Sequence, residues 1–442
     1  MKRIAIKRKP AYNDTYCDDY NPYVSELSNG RITRNLRIGF MSYWFNLIPR
    51  LDEFISKNNL EAIYLKHFLK IGYVYWLGLS PKPYSNLSNR SVNVALEIQK
   101  LPDWDKDKFG TTPNYMKYCI EHYDKEIGIK LPKLDFVFAN LMPTFVRRTS
   151  RNYIILHEYA IKQRVPVIGY DLGLEVVGQG LKHLNDGGIR ENFDEGKLFN
   201  LSGYDYRDKA AHLLFKDKLV HIVQTGKWGV DMLKLGNPLL RFCTWWLPYD
   251  EEQLIELPIR TKNLKYNMAY VGNDNRRRGS MNKWYKDLPK DFMHIFGGNY
   301  RKDLGTSWPK EVVDRYPNLV FNNPVAIKEV SSIYNQAVAT LNLAVPPFEK
   351  VGVQVWRHFE APIGGCVLLL PNTTYKAHKL CFDKSLVMHD TQQIVETVNV
   401  LKATPKLRRD IIEMQREEVK RRYTMEKNLR NLFNEITEEI EP

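Results

Sequence analysis

Arg357 and Glu360 stand three residues apart in the stretch QVWRHFEAPIGGCVLLLP, residues 354–371. At that spacing both side chains project from one face of a helix. A glycine pair, Gly364 and Gly365, and an apolar strand follow. A guanidinium fork matches phosphate oxygens, and a carboxylate accepts two hydroxyl donors, so the pair could hold a diphosphate and a ribose diol. The competing reading is an exposed ion pair worth under ~1 kcal/mol. Two strand exits further upstream offer anion chemistry. AYVGNDNRRRGS leaves a strand at Gly272 and Asn273 and passes Arg276, Arg277 and Arg278 before the next helix. HIFGGNYRK, residues 294–302, repeats the pattern with Gly297, Gly298 and Asn299. Glycine lets the backbone approach a ligand, and free N–H groups at the following helix start favour an anion. Either exit alone reads equally as a turn. Two in consecutive units, both followed by basic residues, favour a phosphate-bearing ligand.

Asp171 closes the run VPVIGYD. A carboxylate there faces the ligand edge of a parallel sheet, where it could take a proton from a hydroxyl; a turn or helix-cap aspartate fits the same position. Two other stretches drop out. HEYAI at 157–161 has Ile161 where a zinc helix needs its second histidine. GLEVVGQG at 173–180 lacks the dinucleotide spacing and follows no strand-to-helix turn, which disfavours hydride transfer.

These candidates need strands to stand on. LDFVFANL (134–141), SRNYIILHEYAIKQR (150–164) and VPVIGYD (165–171) read as strand, amphipathic helix and strand. Apolar, nearly unbroken strands around a helix imply a parallel sheet covered on both faces. KLVHIVQTG adds a strand ending in a glycine turn. Residues 172–205 have no sustained period and read as a long functional loop over a cleft. WWLPYDEEQLIELP (245–258), with two prolines and an acidic run, reads as a connection between domains. The rhythm then restarts: YNMAYVGN, DFMHIFGGN and VATLNLAV as strands, GSMNKWYKDLP and AIKEVSSIYNQA as helices. Residues 391–437 read as helical, broken at Pro405. Two such halves suggest a cleft lined by the carboxyl ends of strands.

A length of 442 residues implies two domains of roughly 150–250 residues each. An apolar fraction of 43% argues against disorder, and 65 Lys and Arg against 51 Asp and Glu leave +14, which favours a polyanionic partner. Five scattered cysteines suggest a reducing compartment without a disulfide framework. The start MKRIAIKRKP turns basic before any long apolar run and does not read as a signal peptide, and no stretch approaches the ~20 apolar residues of a membrane span. The expected location is cytoplasmic.

YVGNDNRRRGS, IFGGNYRK, SSIYNQAVATLNL and VWRHFEAPIGGCVLL occur in the order and spacing of the nucleotide-sugar domain of GT-B glycosyltransferases. More narrowly, they resemble the bacteriophage DNA β-glucosyltransferases of the T-even type, which glucosylate hydroxymethylcytosine in duplex DNA. The resemblance covers residues 265–415, thins over 130–255 and is absent before 130. It departs in three places: Asn273 replaces the family's serine, Val271 precedes Gly272 where the family has a first glycine, and three consecutive arginines replace a spaced pair.

The resemblance implies an α/β protein of GT-B type, with two Rossmann-like domains whose parallel sheets face a central cleft, and C-terminal helices. Residues 1–250 would bind the acceptor, 251–415 the nucleotide sugar, and 416–442 would pack back on the first domain. Arg357 would hold the diphosphate and Glu360 the ribose hydroxyls. Gly272, Asn273, Arg276 and Arg278 would line the phosphate side, Phe296, Gly297 and Gly298 would shape the nucleotide pocket, and Asp171 would be the base of an inverting transfer. The implied donor is a UDP-sugar, with no metal ligands and no tightly bound cofactor, Mg or Mn being at most stimulatory. The implied acceptor is double-stranded DNA bearing hydroxymethylated cytosine or uracil in a phage-infected host, the enzyme acting as a monomer away from membranes. Two alternatives stay open: the same fold acting on a cell-wall, capsule or small-molecule acceptor, and a DNA-binding protein with a degenerate sugar-nucleotide domain.

Overall fold

The computed structural model describes residues 36–41, 64–65, 67–68, 72–76, 91–93, 134–140, 165–170, 219–236, 241–249, 254–272, 277–297 and 308–437. The chain forms two compact units. One takes Met1–Val223, Val230–Trp245 and Asn428–Pro442; the other takes Gln224–Gly229 and Trp246–Lys427.

The first unit is built on β1 (Leu36–Met41), β2 (Gly72–Trp76), β3 (Ser91–Asn93), β4 (Phe136–Asn140), β5 (Val167–Tyr170), β6 (Leu219–Val223) and β7 (Arg241–Thr244). They pair in parallel in the order β3-β2-β1-β4-β5-β6-β7. β-Branched and aromatic residues fill these strands, and β5 is buried along its whole length, as a strand covered on both faces must be. Phe40, Phe138 and Tyr170 stack across β1, β4 and β5, with ring centroids 5.4 and 6.4 Å apart. Tyr64 and Phe68 meet Phe138 edge-on at 5.1 and 5.2 Å. Helix α1 (Lys227–Gly236) follows β6.

The second unit holds β8 (Tyr266–Val271), α2 (Arg278–Trp284), β9 (Met293–Phe296), α3 (Lys310–Arg315), β10 (Val320–Asn322), α4 (Ile327–Tyr334), β11 (Ala337–Leu341), α5 (Pro346–Val351), α6 (Arg357–Gly364), β12 (Val367–Pro371), α7 (Ala377–Leu380), β13 (Val387–Met388), α8 (Thr391–Ala403) and α9 (Pro405–Arg422). The strands are parallel, ordered β10-β9-β8-β11-β12-β13. β11 and β12 are interior strands and are buried at every position. Both sheets therefore follow the doubly wound order, and in each the order reverses once: at β1/β4 in the first and at β8/β11 in the second. Ligands of such sheets bind outside the carboxyl ends of the strands at that reversal.

The strands and helices expected from YNMAYVGN to VATLNLAV are present as β8, α2, β9, α4 and β11, with α3 and β10 added between β9 and α4. The helix that carries Arg357 and Glu360 has a proline inside it. It continues through Pro362 to Gly364 and ends at Gly365, whose φ of 91° a residue with a side chain would resist. The helical tail breaks twice. Pro405 is the first residue of α9, where its missing N–H costs nothing, and a second break at Tyr423 separates α9 from α10 (Met425–Thr437). Within the first unit the end of α10 is tied to β7, by Arg241 donating to Glu435 O at 2.6 Å and Asn431 Nδ2 to Thr244 O at 3.3 Å.

Candidate functional site at the carboxyl edge of the second sheet

β8 and β9 leave the sheet side by side, and their exits are bound to each other. Gly272 N donates to Phe296 O at 2.8 Å, and Gly297 N donates to Asn322 O at 3.3 Å. A Cβ on Gly297 would lie 2.0 Å from Gly272 O, and one on Gly272 would lie 2.8 Å from an Arg357 nitrogen. Neither position has room for a side chain. Glycine is required here for close packing of two backbones, and the same packing lets a guanidinium approach the end of β8.

Arg357, the first residue of α6, occupies that space. Its Nε donates to Val271 O, and its guanidinium lies 5.5 Å from the centroid of the Tyr270 ring, a cation–π contact. Burial would depress this guanidinium, but Tyr270, Glu360, Tyr334 and Tyr285 around it hold its pKa above the ordinary arginine value. Glu360 is one helical turn further on. Burial raises its carboxyl above the usual carboxylate range, and Arg357 only partly offsets that rise. Among the described residues the two make no ion pair with each other, and no hydrogen bond reaches the Glu360 carboxylate. The exposed-ion-pair reading therefore does not describe this pair. Beneath them Tyr334, at the end of α4, is fully buried with its hydroxyl unpaired, and burial pushes that hydroxyl well above its usual pKa.

The exit of β11 is held from the other side of the reversal point. Tyr285 Oη donates to Leu341 O at 2.6 Å, Tyr270 Oη to Leu343 O at 3.5 Å, and Arg277 Nε to Leu343 O at 3.1 Å. Arg277 thus reaches the carboxyl edge. Arg278, its neighbour and a predicted phosphate ligand, starts α2, is half exposed and pairs with Glu311 at 3.4 Å. Ser280, on the same helix, donates to Glu349 at 3.3 Å, and burial raises the Glu349 carboxyl despite that bond.

Arg278 apart, the site residues expected from sequence thus fall into three groups. Gly272, Gly297, Arg357 and Glu360 come together at the edge of β8. Phe296 contributes its backbone carbonyl there, but its ring is 6% exposed and packs in the core with Ala269, Tyr334 and Ala361. From that core position the ring fixes the course of the exit. Asp171, Asn273, Arg276 and Gly298 lie outside the described residues. Tyr270 was missed, and Arg277 stood undistinguished among three arginines, of which Arg276 and Arg278 were the ones expected on the phosphate side. Tyr270 was hidden inside a strand pattern, and three consecutive arginines give no sequence signal for which one turns inward. Among the described residues no group of three His, Cys, Asp or Glu side chains could hold a metal ion, and no helix is long and apolar enough to cross a membrane.

Residues 276–434 match the family described as glycosyl transferase-like. Among solved structures, T4 phage BGT bound to UDP-glucose is similar, at a TM-score of 0.50 and 14% identity over 90% of this chain and 97% of that one. Sucrose-phosphate synthase from Thermosynechococcus elongatus is similar at 0.51 and 12% identity, over 90% and 98% of the two chains. Anabaena Alr3699/HepE bound to UDP-glucose is similar at 0.50 and 10%, over 90% and 99%. No curated protein matches the sequence. The chain therefore has the α/β fold of the GT-B glycosyltransferases, resembling T4 phage BGT among them, and carries a glycosyl transferase-like domain over residues 276–434.

Proposed function

We propose that the protein is an inverting glycosyltransferase moving a hexose, glucose first among candidates, from a UDP-sugar to the hydroxymethyl group of a modified pyrimidine in phage DNA. One observation carries the donor half: Arg357 and Glu360 share a helical face at the strand-order reversal, close together yet unpaired. The guanidinium would take diphosphate oxygens and the carboxylate the ribose diol. Arg277, already turned to the carboxyl edge, joins Gly272, Asn273 and Arg276 on the phosphate side in this reading, and the Arg278–Glu311 pair favours Arg277 over Arg278. Gly297 and Gly298 would flank the nucleotide.

The transfer itself is a single displacement. Asp171, directly after β5, takes the proton of the acceptor hydroxyl as its oxygen bonds to the anomeric carbon. The bond from that carbon to the β-phosphate oxygen breaks, and UDP departs with its added charge met by the arginines. A divalent cation, Mg or Mn, would accompany the diphosphate and stimulate transfer without a cluster of protein ligands. Residues 1–250 would bind the acceptor and 251–415 the donor, with 416–442 returning to the first domain. The acceptor assignment is supported by the likeness of the quoted motifs to the phage DNA enzymes and by the net charge of +14, which would draw a duplex and make its binding salt-dependent. A target base would have to leave the stack to bring its hydroxymethyl group to the enzyme's carboxylate. The protein would act as a monomer in the infected cell's cytoplasm.

A second reading keeps the donor chemistry and changes the acceptor, and the comparable similarity of sucrose-phosphate synthase and HepE favours it. Mass spectrometry of hydroxymethylcytosine DNA, hydroxymethyluracil DNA and plain DNA after incubation with a panel of UDP-sugars separates the two. Gain of one hexose on a hydroxymethylated duplex alone supports the first reading. No gain on any DNA, with UDP-sugar still bound, transfers the case to the second. A non-enzymatic DNA-binding protein would show neither transfer nor thermal stabilisation by a UDP-sugar.

A further inference from the structure

α6 carries Arg357 and Glu360 in its first turn, and its last turn closes on the left-handed Gly365, whose N–H donates to Pro362 O at 2.9 Å while Cys366 N–H donates to Ala361 O at 2.9 Å. The helix has eight residues, one of them Pro362. The carbonyls of Ile363 and Gly364, past that closure, have no donor within the helix. Side chains from distant parts of the chain supply them. Arg416, on α9, donates from Nε to Pro362 O at 2.7 Å and from Nη2 to Ile363 O at 2.9 Å. Asn335 Nδ2 donates to Gly364 O at 3.0 Å. The same two residues anchor the segment before β8: Arg416 donates to Leu257 O at 2.8 Å and pairs with Glu256 at 3.2 Å, and Asn335 donates to Pro258 O at 2.9 Å.

Arg416 is 6% exposed. Burying a guanidinium is costly, and an apolar side chain of similar length would fill the space at lower cost. What the guanidinium adds is a planar fork that fixes two helix-end carbonyls, with its charge against the negative end of the helix dipole.

We propose that Arg416 is a positioning residue for the donor site: by clamping the last turn of α6, it sets where Arg357 and Glu360 stand against the end of β8. This rests on the reading of those two residues as donor ligands. Pro362 lies five residues from Arg357, about 7.5 Å along a rigid helix at ~1.5 Å per residue, so a tilt at one end reappears at the other. Displacements of about 1 Å at a reacting site can cost ~10²-fold.

The test compares Arg416→Met, which keeps the stem and loses the fork, with Ile394→Ala, a cavity variant of the same core on α8 that makes none of these contacts. UDP affinity and the KM and kcat for UDP-glucose are measured well below both unfolding midpoints. Arg416→Met is expected to raise the UDP Kd and the donor KM by ~10-fold, Arg416→Lys by less, and Ile394→Ala by under ~2-fold at a similar loss of Tm. An Arg416→Met Kd that tracks Ile394→Ala overturns the proposal. Should Arg416→Met not fold, Glu256→Gln loosens the same clamp: a Kd raised ~2- to 5-fold is expected, and an unchanged Kd overturns the proposal equally. An unchanged UDP Kd in Arg357→Ala would instead bring down the donor-site reading itself, which keeps the two failures apart.

Discussion

The carboxyl edges of the two sheets begin from one strand order and end in different chemistry. In the first sheet the strands flanking the reversal carry rings: Phe40, Phe138 and Tyr170 stack in a column, with Tyr64 and Phe68 edge-on against Phe138. In the second sheet β8 and β9 end in glycines whose backbones touch, and an arginine fills the space that side chains would have taken. Large rings make a stiff floor on which a strand-end group can be held. Bare backbone makes an edge that a charged ligand can approach closely. Topology thus fixes where a ligand can lie, and the residue at each strand exit decides what kind it is. Under the proposed function the first edge would supply a base and the second a grip on the donor.

The sharpest way to break that division is at Asp171. Asp171→Ala should lower kcat by ~10²- to 10⁴-fold while the UDP Kd, read by calorimetry, stays put. Normal turnover in the variant would strip the first edge of its role. At the second edge, Arg357→Ala should weaken UDP roughly 10- to 100-fold, the loss of a charge-assisted contact worth ~1.5–3 kcal/mol. A pair of glycine substitutions sharpens the packing half of the comparison. Gly297→Ala pushes a methyl into Gly272 O and should destabilise the protein by ~1–3 kcal/mol in chemical denaturation. Gly279→Ala, on α2, meets nothing within 4 Å and should be neutral or stabilise by up to ~1 kcal/mol. Equal effects at the two glycines would mean the tight exit is not what requires glycine.

The smallest effect concerns Glu360, whose folded pKa is raised by burial. A carboxyl raised in this way contributes stability while protonated. That contribution is lost as pH climbs from the unfolded value through the folded one. Glu360→Gln should therefore raise the Tm of the ligand-free protein at neutral pH, with the gap over wild type closing in acid, and should weaken donor binding. A gap independent of pH would show that the carboxylate is not desolvated.

Much of the second unit was legible in local pattern. Apolar runs ending in glycine marked β8 and β9, and the three-residue spacing of Arg357 and Glu360 put both on one face of α6. What was not legible depends on contacts between residues far apart in sequence. The mutual packing of Gly272 and Gly297 is invisible in either motif alone. Arg277 and Arg278 look alike until α2 is placed against Leu343 O on one side and Glu311 on the other. α6 runs through Pro362 and closes on Gly365, and the carbonyls that this closure leaves over are taken by Arg416 and Asn335, which lie far away in sequence. Arg416 itself stands in a charged helix whose pattern, PKLRRDIIEMQREEVKRR, gives no sign that this arginine is buried.

The contact between Gly272 and Gly297 also limits how this protein could diversify. Because each position is blocked by main chain or by Arg357, a lineage changing its sugar donor has almost no freedom to explore substitutions there. Under the proposed function, variation in donor choice would enter elsewhere, for example through the exposed residues of α2, where a Cβ on Gly279 would meet nothing within 4 Å. Those are the positions where libraries aimed at new nucleotide sugars should be built.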